Sequence, residues 1–508
     1  MNLLYLLSWS TVCFLYLQPQ VFIFMVMKKN WKNMVDVLLI NAPIILYNTE
    51  EEKEFYSTHG GDERSYYPLN ILYLASNLEK NGHSVKVMDI SAEGLILPEI
   101  IRKVKRSKPK LVGISAMTTG IQSAVTLAIH LQAENFTVGI GGTHVSVDPT
   151  FITRYPMFDF GVVGEGEITL VEIVRDLKKG VKPKGIYYGQ TVQNLDDLPF
   201  PARHLINTDI YRREEMLDFE VPAAGILSSR GCPYDCIFCC IPNRHRVRFR
   251  SAKNIVDEME SVYEKCGGNY SFVDDCFTIN RKRTMEFCEE IIRRRLDCRY
   301  IASTRADKIT QEMAGLLRRS GCTDLYFGVE SGSPRIRNEV IKKHIREEDI
   351  REAVKACRDK GIMSNLFLML GFPEETKGDI EQTVQIGNRV RADCIGIHIT
   401  MPMPGSEIFE IAIKEGLFKR TIIDDYASGK LGKGFRENYP LYVPKGLNIE
   451  DLMDAKKKAY RSFYLSPQWM LRRLRVWLTI KGKFKDDLKL FKIAPGILWT
   501  GKSKGQLS

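Results

Sequence analysis

Cysteine is almost absent from most of this 508-residue sequence. Eleven of the 12 cysteines lie between Cys232 and Cys394, whereas residues 28–231 and all residues after 394 contain none. A disulfide framework would not concentrate its cysteines in one part of so large a protein, so that class is excluded. The late part of the chain also lacks ligands for an additional metal cluster. Free thiols instead predict a reducing, cytoplasmic environment.

A strong excess of one charge is also absent, as are internal repeats and low-complexity segments. The formal net charge of +11 does not require a nucleic-acid partner in a chain of this length, and none is expected. The positive charge favours anionic small molecules or membrane surfaces. A hydrophobic content of 44% with 27% charged residues excludes an intrinsically disordered protein. The length predicts two or three folded domains.

Charged residues are missing from the first 27 positions. This stretch is long enough to span a membrane, and the lysines at positions 28, 29 and 32 would keep the following domain on the cytoplasmic side. A cleaved signal peptide fits less well, because there is no basic start and no clear small-residue cleavage site. We therefore expect residues 1–27 to be either a membrane anchor or an untranslated extension, with the true start at Met27.

Three cysteines stand close together at the start of the cysteine-rich region. Cys232, Cys236 and Cys239 follow the spacing Cys-x3-Cys-x2-Cys. Thiolates are preferred ligands of iron–sulfur clusters, and three of them would leave one iron of a [4Fe–4S] cluster open to a small molecule. A zinc site would need a fourth cysteine or histidine at a matching distance, and the adjacent Cys240 is poorly placed for it. The remaining alternative is a chance grouping of buried cysteines.

Residues 28–180 alternate short apolar runs with helical stretches. The runs that predict buried parallel strands are 35–41, 84–89, 111–115, 137–141 and 159–163. The predicted helices are 68–81, 97–106, 120–134 and 166–179. Strands that alternate with helices indicate an α/β domain with a doubly wound parallel sheet. Ligands of such sheets bind at the carboxyl ends of the strands.

A second series of strands and helices occupies residues 225–416. Its predicted strands are 225–229, 269–274, 299–304, 324–330, 363–369 and 395–400. Six such units indicate a partial (β/α)6 TIM-like barrel, with its chemistry where the strands end. The three-cysteine loop directly follows the first strand. Residues 181–224 are predicted to be a stiff, proline-containing linker, and residues 417–508 a helical, basic C-terminal tail.

The string Gly-Cys-Pro-Tyr-Asp-Cys-Ile-Phe-Cys, which carries the three cysteines, resembles the cluster motif of the radical S-adenosylmethionine (SAM) enzymes. The resemblance implies that these cysteines hold a [4Fe–4S] cluster and that SAM binds its open iron, where it is split to a 5′-deoxyadenosyl radical. It also implies SAM contacts at the ends of the later strands, where a carboxylate suits the SAM ammonium and an arginine suits its carboxylate. The residues expected there are Asp274, Asp275, Arg305, Glu330 and Ser331.

The N-terminal domain resembles cobalamin-binding domains. The strings that carry this resemblance are Asp89-x-Ser91-x-x-Gly94, Ser115-Ala-Met-Thr118-Thr119, Gly139-Ile-Gly141-Gly142-Thr-His144 and Val163-Gly-Glu-Gly-Glu167. The resemblance implies cofactor hydrogen bonds from Ser115, Thr118 and Thr119, and a close backbone approach at Gly141 and Gly142.

One position departs from the pattern of these domains. Ser91 stands where methionine synthase-like domains have the histidine that ligates cobalt, so we expect no histidine ligand from this chain. The alternatives to cobalamin are a phosphate- or nucleotide-binding domain, or a domain that binds nothing.

Two basic segments have two interpretations each. In residues 244–250, four alternating arginines either hold anionic groups near the cysteine loop or form a solvated strand. Residues 466–480 combine arginines with Trp469 and Trp477, and they either lie on a membrane or, as we slightly favour, cap the barrel. His245 and His398 are expected to be structural.

Residues 35–465 together resemble the radical SAM proteins with a cobalamin-binding domain. The string Ala-Tyr-Arg-Ser-Phe-Tyr at 459–464 resembles the branch with the anaerobic magnesium-protoporphyrin monomethyl ester cyclase and hopanoid-pathway enzymes. This implies methylation of an unactivated carbon or, alternatively, radical oxidation or cyclisation without methyl transfer. The implied partners are a small-molecule substrate, lipid-like or tetrapyrrole, and an electron donor such as flavodoxin or ferredoxin.

Two other functions stay open. A methylthiotransferase that acts on transfer RNA would need cysteines in its N-terminal domain, and residues 28–231 have none. A non-catalytic cobalamin-binding protein would not need Cys232, Cys236 and Cys239.

Overall fold

The fold consists of two six-stranded parallel sheets and a set of C-terminal helices. The computed structural model of the chain describes residues 34–58, 67–211, 223–242, 244–431 and 442–479. The apolar segment 1–27 lies outside these residues, so both interpretations of it remain predictions. Within the described residues, no helix combines the length and the apolar character that a membrane span requires.

The N-terminal sheet contains the five predicted strands and a sixth one. Its strands are β1 (Val37–Asn41), β2 (Val85–Asp89), β3 (Leu111–Ser115), β4 (Val138–Gly141), β5 (Phe160–Val163) and β6 (Gly185–Tyr188). They lie in the order β2-β1-β3-β4-β5-β6 and all pair in parallel. The strand order reverses between β1 and β3, and doubly wound sheets bind their ligands at this kind of switch point.

Helices cover both faces of this sheet because alternate strand residues point to opposite sides. On β1, Val37 and Leu39 pack against one group of helices, while Leu38 and Ile40 pack against the other. The helices of this domain are Glu50–Thr58, Leu69–Lys80, Ile90–Glu93, Leu97–Ser107, Ile121–Ala133, Thr143–Val147, Phe151–Arg154 and Glu167–Lys178.

Strand β6 lies inside the segment that the sequence predicts to be linker. It pairs with β5 from Phe160–Gly185 to Val163–Tyr188, so the sheet extends past the predicted domain boundary at residue 180. The strand is short and partly exposed, and Tyr188 is 72% exposed. An edge strand of this kind lacks the buried apolar run that identified the other five.

The second sheet forms the partial barrel. Its strands are β7 (Ala224–Ile226), β10 (Asn269–Phe272), β11 (Arg299–Thr304), β12 (Cys322–Glu330), β13 (Met363–Leu370) and β14 (Cys394–Ile399), and a separate two-stranded ribbon consists of β8 (Ser229–Arg230) and β9 (Arg248–Phe249). The order β14-β13-β12-β11-β10-β7 follows the chain, as expected for consecutive βα units. The main helices are Ala252–Ser261, Arg281–Arg294, Gln311–Arg319, Glu347–Lys360, Lys377–Val390 and Glu407–Lys414.

The C-terminal helices Ile449–Tyr464 and Pro467–Thr479 pack on the barrel. The Tyr460 hydroxyl accepts a hydrogen bond from the Ile397 amide at 3.1 Å, and the Tyr464 hydroxyl bonds both the amide and the carbonyl of Ile395. These tyrosines satisfy backbone groups on the free edge of β14, which would otherwise offer a site for pairing with another strand. Trp469 is buried and donates to the Asp393 carbonyl at 2.9 Å, so this part of the tail caps the barrel.

A buried ion-pair network joins the linker to the barrel. Glu258 is fully buried between Arg203, which also donates to the Gly225 carbonyl at 2.7 Å, and Arg250. A carboxylate in this position stabilises the fold only while both guanidinium groups are present, since each charge has lost its water.

We predict that Glu258→Gln lowers the free energy of unfolding by about 3 kcal/mol, because it leaves two buried arginines without a counter-charge. Urea unfolding followed by circular dichroism measures this. Glu260→Gln is the control, because that carboxylate is partly exposed and its pair with Arg294 is worth less than about 1 kcal/mol. Equal effects of the two substitutions would contradict the structural role of Glu258.

Candidate active site

The three-cysteine loop begins directly after β8 and returns to the barrel at β9. Its base is closed by the antiparallel pairs Ser229–Phe249 and Arg230–Arg248. Inside the loop, the Cys239 amide donates to the Cys236 carbonyl at 3.1 Å, and the His245 amide donates to the Cys232 carbonyl at 3.0 Å. These two backbone hydrogen bonds give the segment that carries the three cysteines a defined turn structure.

Two further backbone bonds hold the centre of the loop against the barrel mouth. The Ile237 amide donates to the Ile341 carbonyl at 3.2 Å, and the Ile408 amide donates to the Ile237 carbonyl at 3.0 Å. Phe238 lies 5.9 Å from the ring of Phe372, which follows β13. The loop thus lies over the carboxyl ends of the strands, where barrel enzymes place their chemistry.

Burial and backbone hydrogen bonds act in opposite directions on the cysteine thiols. Burial raises the pKa of Cys232, and it raises that of Cys239 to about 11, with Cys236 close enough to contribute in both cases. Backbone amides of Tyr234 and Ile241 donate to the sulfurs of Cys232 and Cys239, and such bonds stabilise thiolates on a metal. No group of ligands tight enough for a single metal ion occurs among the described residues.

Asp274 and Asp275 both follow β10 but have different partners. Asp274 is buried and accepts bonds from the Ser228 amide at 3.2 Å and from the hydroxyls of Ser228 and Ser229. Asp275 is exposed, accepts a bond from the Gly231 amide and lies beside Cys232. Although Asp275 reaches solvent, the surrounding protein removes part of the hydration of its carboxyl and, with the Asp274 charge, raises the pKa of Asp275 to about 6. Asp275 is thus the accessible carboxylate, while Asp274 secures the strand that precedes the cysteine loop.

Arg305, at the end of β11, lies flat against the cysteine loop. Its guanidinium carbon is 3.8 Å from the centre of the Tyr234 ring, and its Nε donates to Asp307 at 3.0 Å. The side chain is buried, and its Nη1 has no hydrogen-bond partner among the described residues. A buried donor without a partner is costly, so this nitrogen suits the carboxylate of a bound molecule.

Glu330 and Ser331, at the end of β12, are both engaged within the protein. Glu330 has a left-handed backbone with φ of 67° and accepts a bond from Lys343 at 2.9 Å. Ser331 is fully buried, bonds the Thr383 hydroxyl at 3.0 Å and accepts from the Ser333 amide. Contact of either residue with SAM stays a prediction, and Ser331 would need a rearrangement to make it.

Lys343 is a residue of this site that the sequence did not reveal. Burial opposes its charge, but the Glu330 carboxylate and the nearby Cys236 sulfur raise the pKa of Lys343. The side chain is buried, so it places a positive charge beside a cluster ligand. It belongs to no recognisable motif, and only its position in the fold shows its role.

The carboxyl ends of four strands form one polar row in the N-terminal domain. The parallel register places Asp89 opposite Asn41, Asn41 opposite Ser115, and Ser115 opposite Gly141. Asn70 donates to the Ser115 hydroxyl at 2.8 Å. This row lies at the switch point of the strand order, where a ligand of this fold binds.

Gly142 is required by the geometry at this edge. Its φ is 101°, and a Cβ atom there would be 2.6 Å from the Ala116 carbonyl oxygen. A Cβ at Gly141 would meet only the Val162 carbonyl at 3.7 Å, an ordinary contact. The close approach of the chain's own backbone thus explains Gly142, whereas Gly141 leaves room at the strand end.

Thr118 and Thr119 are buried in the turn after β3. The Thr118 hydroxyl bonds Nδ1 of His144 at 3.1 Å, and the Tyr426 hydroxyl donates to the Thr119 carbonyl at 2.5 Å. Burial lowers the pKa of His144 to about 4, and its Nε2 is buried with no partner among the described residues. His144 carries part of the cobalamin-domain resemblance, and its unpartnered nitrogen makes it a site candidate that we did not single out from the sequence.

Ion pairs join the N-terminal domain to the base of the cysteine loop. Arg230 lies between Glu165 at 3.6 Å and Glu167 at 2.5 Å, and Arg248 bonds Glu165 at 2.9 Å and the Val192 carbonyl. Burial alone would raise the pKa of Glu165, but the bond from Arg248 and the charge of Arg230 lower it below its usual value. We call these four charged residues the interdomain clamp. The clamp fixes the loop, two residues before Cys232, relative to the N-terminal sheet.

The alternating arginines at 244–250 do not act as one row, because Arg246 is exposed whereas the others contact different parts of the protein. Arg248 is in the clamp, and Arg250 is buried against Glu258. Arg244 donates to the Cys239 carbonyl and lies 3.9 Å from Asp235. Arg248 has its partner in the N-terminal domain, whereas Arg244 and Arg250 have partners within nine residues, so three of the four arginines are structural.

We predict that Cys236→Ala abolishes iron–sulfur absorbance after anaerobic reconstitution, because it removes the most buried of the three thiolates. Cys240→Ala is a matched control from the adjacent position and should retain the cluster. Retention of a full cluster by Cys236→Ala would refute the assignment of the ligands.

We predict that Arg230→Met speeds hydrogen exchange in residues 229–250, because it leaves Glu165 and Glu167 buried with one cation fewer. A loss of about 3 kcal/mol corresponds to roughly hundredfold faster exchange by local opening. Exchange mass spectrometry measures this. Arg154→Met, which breaks a half-exposed contact with Asp424, is the control. Unchanged exchange in Arg230→Met would show that the clamp does not hold the loop.

Comparison with known proteins assigns both domains. Residues 226–386 match the Radical SAM superfamily, and residues 63–174 match the B12 binding domain. An uncharacterized methyltransferase of Pyrococcus horikoshii is 32% identical over 80% of this chain and 89% of its own. The anaerobic magnesium-protoporphyrin IX monomethyl ester cyclase of Rubrivivax gelatinosus is 25% identical over 79% of this chain and 74% of its own.

A solved structure has the same fold. The radical SAM methyltransferase TsrM of Kitasatospora setae, with cobalamin and a [4Fe–4S] cluster bound, superposes with a TM-score of 0.58 at 20% identity, covering 75% of this chain and 78% of that one. The chain therefore belongs to the radical SAM superfamily as a member with an N-terminal B12-binding domain, and it is a radical SAM enzyme with a [4Fe–4S] cluster, SAM and cobalamin as cofactors.

Proposed function

We propose that this enzyme transfers a methyl group to an unactivated carbon of a small molecule. The observation that carries the proposal is the interdomain clamp, since Arg230 ties the three-cysteine loop to the B12-binding sheet. Radical formation and a methyl carrier are thereby held in a fixed relation. The name of the P. horikoshii relative also supports methyl transfer.

Different residues at the carboxyl ends of the barrel strands hold the cluster, contact SAM or support these groups. When bound, the cluster supplies the electron that cleaves SAM, and cobalamin supplies the methyl carrier. Cys232, Cys236 and Cys239 hold the cluster, and we assign Asp275 to the SAM ammonium and Arg305 to the SAM carboxylate. Asp274, Glu330 and Ser331 support the site from within the protein, since their polar groups already bond other side chains.

Other residues exclude water from the site and supply a positive charge beside the cluster. Ile237 and Phe372 are buried around Cys236, which keeps the reacting carbon away from solvent. Lys343 places a positive charge beside Cys236 and favours the electron-rich form of the cluster.

In the N-terminal domain, we assign Ser115 and the bare backbone at Gly141 and Gly142 to cobalamin. Thr118 and Thr119 shape the same turn, and the Thr118 hydroxyl reaches the cofactor only if its bond to His144 is exchanged. Ser91 lies in the short helix after β2, and this chain offers no histidine for cobalt at that position. These assignments rest on the register of the strand ends and on the room beside Gly141.

The second candidate is oxidation or cyclisation without methyl transfer, which the name of the R. gelatinosus relative favours. The broader proposal is a lipid-like or tetrapyrrole substrate, a reducing cytoplasmic setting and a flavodoxin- or ferredoxin-type electron donor. Membrane contact would fall to segments outside the described residues or to the exposed side of the last helix.

The two candidates differ in how SAM is consumed. We predict that the protein, reconstituted anaerobically with iron, sulfide and cobalamin and supplied with SAM and reductant, forms both 5′-deoxyadenosine and S-adenosylhomocysteine. Liquid chromatography with mass spectrometry quantifies both products. Omission of cobalamin should remove S-adenosylhomocysteine and leave SAM cleavage.

Three results are informative. 5′-Deoxyadenosine without S-adenosylhomocysteine, in protein loaded with cobalamin, would favour the cyclase-type reaction. No 5′-deoxyadenosine despite an intact cluster would refute radical SAM chemistry. Cys236→Ala should form neither product, and activity in that variant would show that the products arise elsewhere.

A further inference from the structure

Three aromatic side chains on adjacent strands face the inside of the barrel. On β13, Leu366, Leu368 and Leu370 point outward into the helix-covered core, so the residues between them point inward. Phe367 is one of these, and it is 36% exposed although β13 is a central strand. Barrel interiors are normally filled by packed side chains, so an exposed phenylalanine there marks open space beside it.

The rings of Tyr326, Phe367 and His398 form a continuous row, which we call the aromatic row. Tyr326 and Phe367 stack at 5.3 Å with an angle of 24°, and His398 meets Phe367 edge-on at 6.3 Å. Met369 is two residues further along β13, about 7 Å away, and packs against the apolar core that contains Cys236. The row therefore lies inside the barrel, below the cysteine loop.

A buried lysine stands at the strand edge next to this row. Lys456 is 6% exposed, and within the described part of the chain it has no hydrogen bond and no ion pair. Burial alone lowers its pKa to about 8, and no neighbouring charge contributes. It is still mainly protonated at neutral pH. Its stem is buried, whereas its ammonium keeps some contact with open space and lacks a counter-charge from the described residues.

The register of the covering helix locates Lys456. Tyr464 bonds Ile395 and Tyr460 bonds Ile397, so one helical turn earlier Lys456 is level with Ile399. The position of Leu452, one turn before Lys456, supports this alignment of helix and strand. A Cβ atom at Gly371 would lie 3.3 Å from Leu452 and 3.9 Å from Ile399. Lys456 thus lies at the carboxyl end of β14, one residue beyond His398.

We propose that the barrel binds a planar aromatic acid, whose rings lie on the aromatic row and whose carboxylate pairs with Lys456. The anion supplies the counter-charge that the chain does not, and the flat body covers the exposed face of Phe367. This inference rests on the proposed function only in that it names the class of molecule that receives the radical chemistry.

Three small molecules with one carbon skeleton test the proposal: 2-naphthoate, the neutral 2-naphthamide and the saturated decalin-2-carboxylate. Calorimetry with the reconstituted, SAM-loaded holoenzyme measures their binding. 2-Naphthoate should bind about tenfold more tightly than either of the others, since each lacks one of the two interactions. Equal affinities, or binding of 2-naphthoate only when SAM is absent, would overturn the proposal.

Substitutions test whether Lys456 causes the preference for the acid and Phe367 the preference for the aromatic ring. Lys456→Met should remove the preference for the acid over the amide, and Phe367→Leu should remove the preference for the aromatic over the saturated ring. Lys458→Met, an exposed neighbour on the same helix, is the control and should change neither. A Lys456→Met protein that keeps the acid preference would overturn the role of Lys456.

Stability and SAM cleavage separate the possible failures. Lys456→Met should unfold at the same or a higher temperature than the wild type, because it removes an unpaired buried charge. A marked loss of stability would show that the ammonium has a partner within the protein and would contradict the proposal. SAM cleavage by the wild type tests the proposed function independently, since it does not require the aromatic acid.

Discussion

The interdomain clamp is the constraint on which the rest of the site depends. Arg230 lies two residues before Cys232 and is opposite Arg248 in the two-stranded ribbon. Both arginines form ion pairs with glutamates of the B12-binding domain. A loop that carries a metal cluster is exposed to water and oxygen unless something fixes its base. Here that fixation comes from the same domain that binds the second cofactor, so the position of one cofactor is coupled to the position of the other.

Much of this architecture follows from local sequence. Buried strands such as β1 and β3 are short apolar runs flanked by helices, and the cysteine spacing indicates its metal chemistry directly. Strand β6 escaped prediction because an exposed edge strand needs few apolar residues. Of the residues expected at the strand ends, Asp275 lies beside Cys232 and Arg305 lies against Tyr234, but sequence could not show that Asp274 and Ser331 already have partners inside the protein.

Charged residues show why the rest could not be predicted. The four arginines at 244–250 look alike in sequence, yet Arg248 pairs with Glu165, 83 residues earlier, whereas Arg250 pairs with Glu258, eight residues later. Lys343 and Lys456 also cannot be told apart by any local sequence pattern. Lys343 is paired with Glu330, whereas Lys456 has no counter-charge among the described residues, and this difference in environment gives them different roles. Such roles depend on tertiary contacts, which no local pattern encodes.

The central claim is that cluster chemistry and cobalamin chemistry occur at one site in one chain. Electron paramagnetic resonance of protein that holds both the reduced cluster and cob(II)alamin tests this most directly. We expect a magnetic interaction between the two centres that broadens or splits their signals, and that weakens in Arg230→Met. Two signals that remain independent in fully loaded wild-type protein would contradict it.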